Sequence, residues 1–353
     1  MDYKQKLSGL IDLVIAQGAS DLHLSTGVVP MIRVSGALTP ILSEQKVSPE
    51  DMQGLIGEML VPARKQKFLE TQEADFSYSH TDKTRFRGNA YFERGNMGAA
   101  LRLIPKQIRT LQELNIPPVV ESFASKEQGF FLVVGPVGQG KTTTLAALIE
   151  KINQERAEHI VTIEDPIEYL FENKKSLVEQ REVRVDTADF AGALTSVFRQ
   201  DIDVLMIGEM RDPLTMAAAV TAAETGHLVF STLHTNNAAQ TIDRIIDSFP
   251  ASQQDQIRIQ LAGSLAGIFS QRLVPRIAGG LIPACELLIS NSAVQNLIRE
   301  KRTHEIQTVI ETGAQDGMID MNRSLADLVR AGEISVESAY ARSLNPNVLQ
   351  RLI

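Results

Sequence analysis

One eight-residue run in this sequence combines three glycines with a lysine and a threonine. Residues 135–142 read Gly-Pro-Val-Gly-Gln-Gly-Lys-Thr and match G-x-x-x-x-G-K-[ST] in full. The glycines let the backbone approach phosphate oxygens closely, and N–H groups at the start of a following helix point at them. In such a loop Lys141 bridges the β- and γ-phosphates, and the hydroxyl of Thr142 binds Mg²⁺. Because an apolar run precedes the loop and a helical pattern follows it, an accidental glycine-rich turn is disfavoured, and a site for Mg·ATP is predicted. The predicted nucleotide-contacting residues are Gly135, Pro136, Val137, Gly138, Gln139, Gly140, Lys141, Thr142 and Thr143.

Acidic residues end two further apolar runs that are typical of buried strands. Residues 204–207 are apolar and lead to Glu209, and a second run leads to Glu164, Asp165 and Glu168. Open α/β sheets bind ligands at the carboxyl ends of their strands, so these acids are expected beside the nucleotide. There they would hold magnesium or orient water. A solvated loop acid is the alternative for Glu209, and a turn or capping cluster is the alternative for Asp165 and Glu168.

Two of the six histidines flank another apolar strand pattern. His234 follows its carboxyl end, where a side chain that senses the γ-phosphate has to lie, and we predict a catalytic role for it. His227 stands at the start of the same strand and is explained equally well by a structural role. The remaining four are interpreted as ordinary: His23, His80, His159 and His304.

Two element patterns position these residues. Before about residue 105, short strand-like runs follow one another without crossover helices, which favours an antiparallel sheet. After residue 118, apolar strands alternate with helices, as in a parallel sheet covered by helices. Strands are predicted over 21–25, 31–34, 75–79, 85–92, 98–103, 130–134, 160–163, 204–207 and 227–231, and helices over 4–17, from Ser48, from Lys141, 190–198 and 213–225. The predicted domains are 1–105, an α+β domain; 106–118, a proline-containing linker; and 119–353, an α/β domain with C-terminal helices over about 290–353.

Composition narrows the class of protein. The chain has 353 residues, of which 43% are hydrophobic and 22% charged, as expected for a globular protein of two domains. A formal net charge of −8 argues against nucleic acid as the main ligand. The single cysteine, Cys285, excludes an internal disulfide or a cysteine-rich zinc site, and it favours a reducing compartment. The N-terminus does not read as a signal peptide, and no apolar run reaches the length of a membrane span, so a cytoplasmic protein is expected.

Taken in order, these motifs resemble those of the secretion-superfamily motor ATPases, and most closely their type IV pilus retraction branch. The phosphate loop is one of the matching blocks. Another, residues 293–300, reads AVQNLIRE and is similar to the AIRNLIRE signature of the retraction branch. The other blocks are 19–24 (ASDLHL), 163–168 (IEDPIE, like the aspartate box), 208–212 (GEMRD, like Walker B), a histidine box ending at His234, and 271–276 (QRLVPR).

The resemblance implies a PAS-like N-terminal domain, a RecA-like ATPase domain and a ring of six subunits. It implies that Glu209 and Glu164 position Mg²⁺ and the attacking water, with Thr142 and Glu209 nearest the metal. It also implies that Arg87 and Arg102, from the N-terminal domain, complete the site, although an arginine on a strand surface is commonly a solvated charge.

The function that the resemblance implies is a cytoplasmic motor that couples ATP hydrolysis to pilus retraction and twitching motility. Its expected partners are an inner-membrane platform protein and paralogous pilus ATPases. Two alternatives stay open: an accessory paralogue or related secretion-system ATPase, and, on the same core, a nucleic-acid motor. The acidic net charge disfavours the second alternative, since such a motor needs a basic groove.

Four positions depart from the family pattern. Val137 and Gln139 stand where the phosphate loop usually has threonine and serine, and binding is expected to survive because backbone groups do most of the work. Gln295 replaces the arginine of the C-terminal signature, which puts coupling to partners in question. Gly88 stands where valine is common, which predicts a mild weakening of its strand. The four-cysteine zinc motif of the pilus-extension relatives is excluded by the cysteine count.

Overall fold

The computed structural model describes residues 2–34, 36–80, 84–104 and 107–353, with no account of the Ala63 side chain. Two units are distinguished by their internal packing. The first comprises the described part of Met1–Gln107 together with Asp165–Leu170, and the second comprises Ile108–Glu164 and Phe171–Ile353.

Across its described residues, the first unit contains a six-stranded antiparallel sheet in the order β3-β2-β1-β6-β5-β4. Helix α1 begins after Asp2, whose side chain accepts from the Gln5 N–H, and it buries Leu7, Leu10, Ile11 and Val14. The elements are α1 (Tyr3–Ala16), β1 (Asp21–Ser25), β2 (Met31–Val34), β3 (Ala37–Pro40), α2 (Pro49–Met59), α3 (Pro62–Thr71), β4 (Glu73–Ser79), β5 (Arg85–Glu93) and β6 (Asn96–Ile104).

The predicted strands of this unit are confirmed with small changes at their ends, and so are the helices at residue 4 and after Ser48. Helix α3 and strand β3 were not predicted, because α3 has little apolar periodicity and all of β3 is exposed. The sequence also predicts a turn at residues 35–36 and a turn-rich stretch at residues 80–84, and both fall partly outside the described residues. So does the start of the predicted linker, and the boundaries at 105 and 118 stay predictions.

Gly88 in β5 is required by packing, and the predicted weakening of its strand stays a prediction. A Cβ atom at this position would lie 2.2 Å from Cζ of the buried Phe76 ring on the neighbouring strand. Such a distance is far below van der Waals contact. The ring therefore fills the space that a valine would occupy.

The second unit is built on a mixed sheet of seven strands in the part of the chain that the structure describes. Its order is β13-β12-β7-β11-β10-β8-β9, and all neighbours are parallel except β12 and β13. The strands are β7 (Gly129–Val134), β8 (His159–Glu164), β9 (Leu177–Glu182), β10 (Val204–Ile207), β11 (Leu228–Leu233), β12 (Leu265–Pro275) and β13 (Leu281–Ile289). The helices are α4 (Lys141–Glu155), α5 (Phe190–Val197), α6 (Pro213–Glu224), α7 (Ala238–Asp247), α8 (Ala251–Ser264), α9 (Ser292–Arg299), α10 (Ile306–Thr312), α11 (Met321–Arg330), α12 (Val336–Arg342) and α13 (Pro346–Leu352), with 3-10 helices at Pro118–Ser125, Thr303–Glu305 and Gly313–Asp316.

This sheet is covered on both faces, which is why its central strands are continuous apolar runs. Every residue of β7 and of β11 is buried. Along β7, Phe130, Leu132 and Val134 enter one core, and Phe131 and Val133 enter the core on the opposite face. The alternation follows from the two-residue period of a strand.

The four predicted strands of this sheet are parallel, as expected, and a strand that was not predicted runs antiparallel at one edge. Strand β13 runs antiparallel to β12, because a short turn joins them. Gly279 and Gly280 in that turn have φ of 89° and 80°, a region that glycine enters without strain. Strand β11 covers residues 228–233, not 227–231, so His227 lies before the strand. Among the described residues, no helix has both the length and the apolar character needed to cross a membrane.

Candidate nucleotide-binding site

The phosphate loop, residues 135–142, leaves the carboxyl end of β7 and enters helix α4 at Lys141. Three of its glycines have positive φ: 149° at Gly135, 76° at Gly138 and 79° at Gly140. Gly140 precedes the helix and has no side chain to occupy the helix N-terminus. The first N–H groups of α4 are thus left to other acceptors, an arrangement that suits a phosphate.

Lys141 is buried, and its ammonium is held by groups of this unit. Its Nζ donates to the carbonyl oxygens of Gly135, at 2.8 Å, and Pro136, at 2.9 Å. The same atom lies 3.3 Å from Nδ1 of His234, which follows β11. An ammonium can only donate, so Nδ1 of the imidazole is the acceptor and the ring proton is carried by Nε2.

Glu209 completes a chain of charges that starts at Lys141. It follows β10, the neighbour of β11, and its Oε2 lies 3.6 Å from Nε2 of His234. Its other oxygen forms an ion pair with Arg211. Burial lowers the pKa of His234 below 6.5, and the positive charge of Lys141 lowers it further, while Glu209 acts in the opposite direction. His234 is therefore neutral near pH 7.

Glu164 ends β8 and is buried, unlike the more accessible Glu209. One of its oxygens accepts from Oγ1 of Thr162, at 2.8 Å, and from Nε2 of Gln180, at 3.2 Å. These bonds fix the direction of the carboxylate. Thr142 lies in the first turn of α4, and no cluster of three or more metal-binding His, Cys, Asp or Glu side chains occurs among the described residues. The hydroxyl of Thr142 is an oxygen ligand of the kind that Mg²⁺ takes together with phosphate and water.

The two arginines singled out by resemblance lie in the first unit, each on an acidic partner. Arg87 on β5 donates to Glu168 Oε1 at 2.8 Å, and Glu168 belongs to the segment Asp165–Leu170. Arg102 on β6 donates through Nε to Asp21 Oδ1 at 2.9 Å. Burial alone would raise the pKa of Asp21, but hydrogen bonds from Ser20 and Arg102 outweigh it, and the pKa stays below its usual value.

Sequence reasoning missed several contacts of the phosphate loop. Gln271 and Leu273 on β12 bind Gln139, and Gln271 also binds Thr144. Residues 271–276 match a family motif, which marks this segment as important, but the motif does not indicate that it contacts the phosphate loop. By contrast, the structure brings together Lys141, His234 and Glu209 as the sequence predicted; the catalytic roles of these residues, and of Glu164, Arg87 and Arg102, stay predictions.

Comparison with known proteins assigns the family. A family model described as "Type II/IV secretion system protein" matches residues 82–343. The chain belongs to this family. It is 43% identical over 340 residues to the "Type IV pilus retractation ATPase PilT" of Pseudomonas aeruginosa, covering 96% of this chain and 98% of the relative. It is 44% identical over 317 residues to the "Twitching motility protein" of Neisseria gonorrhoeae, covering 90% of this chain and 84% of the relative.

A solved structure of the secretion family confirms the predicted fold class. The crystal structure of the pilus retraction motor PilT with bound ADP superimposes with a TM-score of 0.90 at 44% identity, covering 98% of both chains. The α/β fold with a smaller N-terminal α+β unit is therefore shared along nearly the whole chain. The resemblance to the retraction branch, which rested on separate motifs, is confirmed as well.

Proposed function

We propose that this chain is an ATPase motor that couples ATP hydrolysis to type IV pilus retraction. The observation that carries this function is the joined geometry of the phosphate loop, His234 and Glu209, in a chain that matches PilT from end to end. The three elements meet at the carboxyl edge of the sheet, where α/β proteins bind nucleotides.

The residues divide the chemistry between them. Backbone N–H groups of the phosphate loop bind the β-phosphate, and the Lys141 ammonium neutralises charge that develops on the γ-phosphate. Glu209 is accessible and accepts a proton or orients the attacking water, whereas Glu164 is held by Thr162 and Gln180 and fixes the polar surroundings. Thr142 and Glu209 would hold Mg²⁺, which would supply charge neutralisation at the phosphates. His234 reports the occupancy of the γ-phosphate position to Lys141 and Glu209.

The working assembly is a homohexamer in the cytoplasm, held at the inner membrane by a platform protein of the pilus machine. Arg87 and Arg102 complete the site by spreading the negative charge of the reacting phosphate. Paralogous pilus ATPases act beside it. Similarity to the retraction motors supports these assignments, and the arginines and the phosphate loop lie in different units.

The chemical part is tested with two substitutions. Lys141→Ala should weaken Mg·ATP binding and abolish turnover. Glu209→Gln should keep Mg·ATP bound while lowering turnover by roughly 100-fold or more, the effect of losing a key water-orienting group. Both are measured by nucleotide binding and steady-state phosphate release, with Glu311→Gln, an exposed change on α10, as the matched control. Near-normal turnover of Glu209→Gln would indicate that Glu164, and not Glu209, orients the attacking water.

The cellular part is tested by deleting the gene and imaging pili in live cells. Pili should extend and then fail to retract, and the wild-type gene should restore retraction while the Lys141→Ala gene should not. Normal retraction after deletion would contradict the motor function and favour an accessory ATPase. Turnover in vitro distinguishes that accessory from a scaffold that does not hydrolyse ATP.

A further inference from the structure

The side chain of Gln271 fastens the phosphate loop to strand β12. It is 3% exposed, and both ends of its amide are used. Nε2 donates to the backbone oxygen of Gln139 at 2.8 Å, and Oε1 accepts from the buried hydroxyl of Thr144 at 2.7 Å. Because a carbonyl oxygen can only accept, the orientation of the amide is fixed by its partners. One side chain therefore holds both the loop and the first turn of α4.

The side chain of Gln139 makes a second connection to the same strand. Its Oε1 accepts from the N–H of Leu273 at 2.7 Å. On the β13 side Leu273 lies opposite Pro283, and the register of β12 with β7 ends at Ser270. Strand β12 thus continues beyond the end of its pairing with β7, and there the Gln139 side chain binds the Leu273 N–H. Serine, the usual residue of the family at position 139, has a shorter side chain that does not reach as far toward the Leu273 N–H as glutamine does.

Two loop glycines also lie directly against this strand. A Cβ atom on Gly135 would lie 2.4 Å from the backbone oxygen of Gln271, and one on Gly140 would lie 3.1 Å from Gln271 Nε2. The loop is consequently in contact with β12 at both of its ends. The close approach of the backbones and the hydrogen bonds of the two glutamines therefore both restrict the phosphate loop, residues 135–142.

We propose that Gln271 and Gln139 are positioning residues that clamp the phosphate loop onto β12 and hold its N–H groups ready for a nucleoside di- or triphosphate. The inference rests on the proposed nucleotide function and names how the site is preorganised. Without the clamp, binding has to order the loop, and that cost lowers affinity for Mg·ADP and Mg·ATP by a similar factor. Neither glutamine touches the reacting atoms, so turnover at saturating ATP falls much less than affinity does.

The test uses the full-length protein and measures the dissociation constant for Mg·ADP by titration calorimetry. Gln271→Met and Gln139→Ser each remove hydrogen bonds, and each should raise the dissociation constant about 3- to 10-fold, the effect of one or two hydrogen bonds on an equilibrium. KM for ATP should rise by a similar factor, and kcat should fall by a much smaller one. Gln154→Met, a change at an exposed glutamine on α4, is the matched control and should bind as the wild type does.

A stability measurement separates positioning from mere packing. Gln271→Met leaves the Thr144 hydroxyl buried without this partner and could unfold the protein, so the double variant Gln271→Met/Thr144→Val removes both polar groups. It should melt close to the wild-type temperature without nucleotide and still bind Mg·ADP weakly. Wild-type affinity in a variant with a lowered melting temperature would overturn the clamp and leave the proposed function standing. Normal Mg·ADP binding by Lys141→Ala would instead overturn the proposed function and the clamp with it.

Discussion

The imidazole of His234 joins two opposite charges, and its own charge decides whether the arrangement is stable. Nδ1 accepts from the Lys141 ammonium, and Nε2 faces the Glu209 carboxylate. A proton on Nδ1 would turn the hydrogen bond with lysine into a repulsion between two cations. Burial and Lys141 accordingly hold the pKa of His234 below 6.5.

We predict that ATPase activity falls on the acid side of pH 6.5 and that His234 is the cause. In the folded protein His234 stays neutral at pH values where a free histidine is already protonated, so its contribution is present above its usual pKa and is lost as the pH falls through the lowered value. His234→Gln, which cannot be protonated, should lower activity and remove this acid limb. The measurement is kcat/KM for ATP between pH 5 and pH 8.

His227→Gln is the control, because His227 lies at the opposite end of β11, bonded to the Ala222 carbonyl through Nδ1. Its profile should keep the wild-type limb. An acid limb of unchanged position in His234→Gln would exclude His234 as the titrating group and direct attention to the carboxylates of the site.

Single residues were predictable where the chemistry is contiguous in sequence. The phosphate loop was recognised because eight consecutive residues carry the whole pattern. Gln271 was not, since its partners Gln139 and Thr144 stand more than a hundred residues away and only the fold brings them together. Gly88 illustrates the same limit. The sequence alone does not show whether a glycine in a strand leaves a gap or makes room for an aromatic ring, here that of Phe76.

At the scale of elements, the buried parallel strands were predictable and the edges were not. Strands β7 and β10 are short, apolar throughout and bounded by residues typical of loops. Both their length and their composition therefore indicate buried strands. Strand β9 reads Leu-Val-Glu-Gln-Arg-Glu and has no clear apolar face. The pair β12 and β13 was missed because its strands are long and apolar, which fits a buried helix equally well.

For helix α9, which carries the C-terminal signature, the sequence predicts Ser292 as the cap and Val294, Leu297 and Ile298 at helical spacing. Asn291 caps the helix instead, accepting from the Val294 N–H at 3.0 Å. Val294 and Ile298 are buried in the core as predicted, and Leu297 packs against the same core. Arg299 and Glu300 are exposed at its end. Its buried face is structural, and its charged end is available to a partner.

We predict that reversing the charges at Arg299 and Glu300 separates hydrolysis from force. Arg299→Glu/Glu300→Arg should leave nucleotide binding, turnover and ring size near wild type, because neither residue belongs to the nucleotide site. Pilus retraction in cells should be lost. ATPase activity, size by light scattering and twitching motility are measured on the same variant.

The outcomes for α9 are distinct. Normal twitching of a stably produced variant would show that the charged end has no coupling role. Loss of the ring would show that the segment supports assembly. Val294→Ala serves as a contrast, since it should lower thermal stability by removing buried methyl groups.

At the scale of the whole molecule, the residues proposed for one reaction are divided between two units. Lys141 and Glu209 lie in the second unit, and Arg87 and Arg102 lie in the first, where Glu168 and Asp21 hold them. The Asp21 carboxylate binds the Nε edge of Arg102, and the arginine side chain remains 73% exposed. Its outer amino groups thus remain accessible to a phosphate. Sequence patterns show each unit, and a site shared between subunits stays a prediction.

If a ring of subunits shares its sites, variants that are inactive alone should repair one another. Arg102→Ala and Lys141→Ala should each abolish or strongly impair hydrolysis, but a mixed ring contains interfaces in which an intact phosphate loop meets an intact arginine. With random assembly of equal amounts through one repeated heterologous interface, about a quarter of the interfaces are intact, so activity should recover to at most about that fraction of wild type. Steady-state turnover is measured against mixing ratio after subunit exchange has been demonstrated with labelled protein. Mixing Lys141→Ala with Glu209→Gln is the control, because both changes lie in the second unit. Every second unit in the mixed ring then carries one of the two changes, so no intact site forms. Absence of recovery at every ratio, with exchange established, would mean that each arginine acts within its own chain or takes no part in hydrolysis.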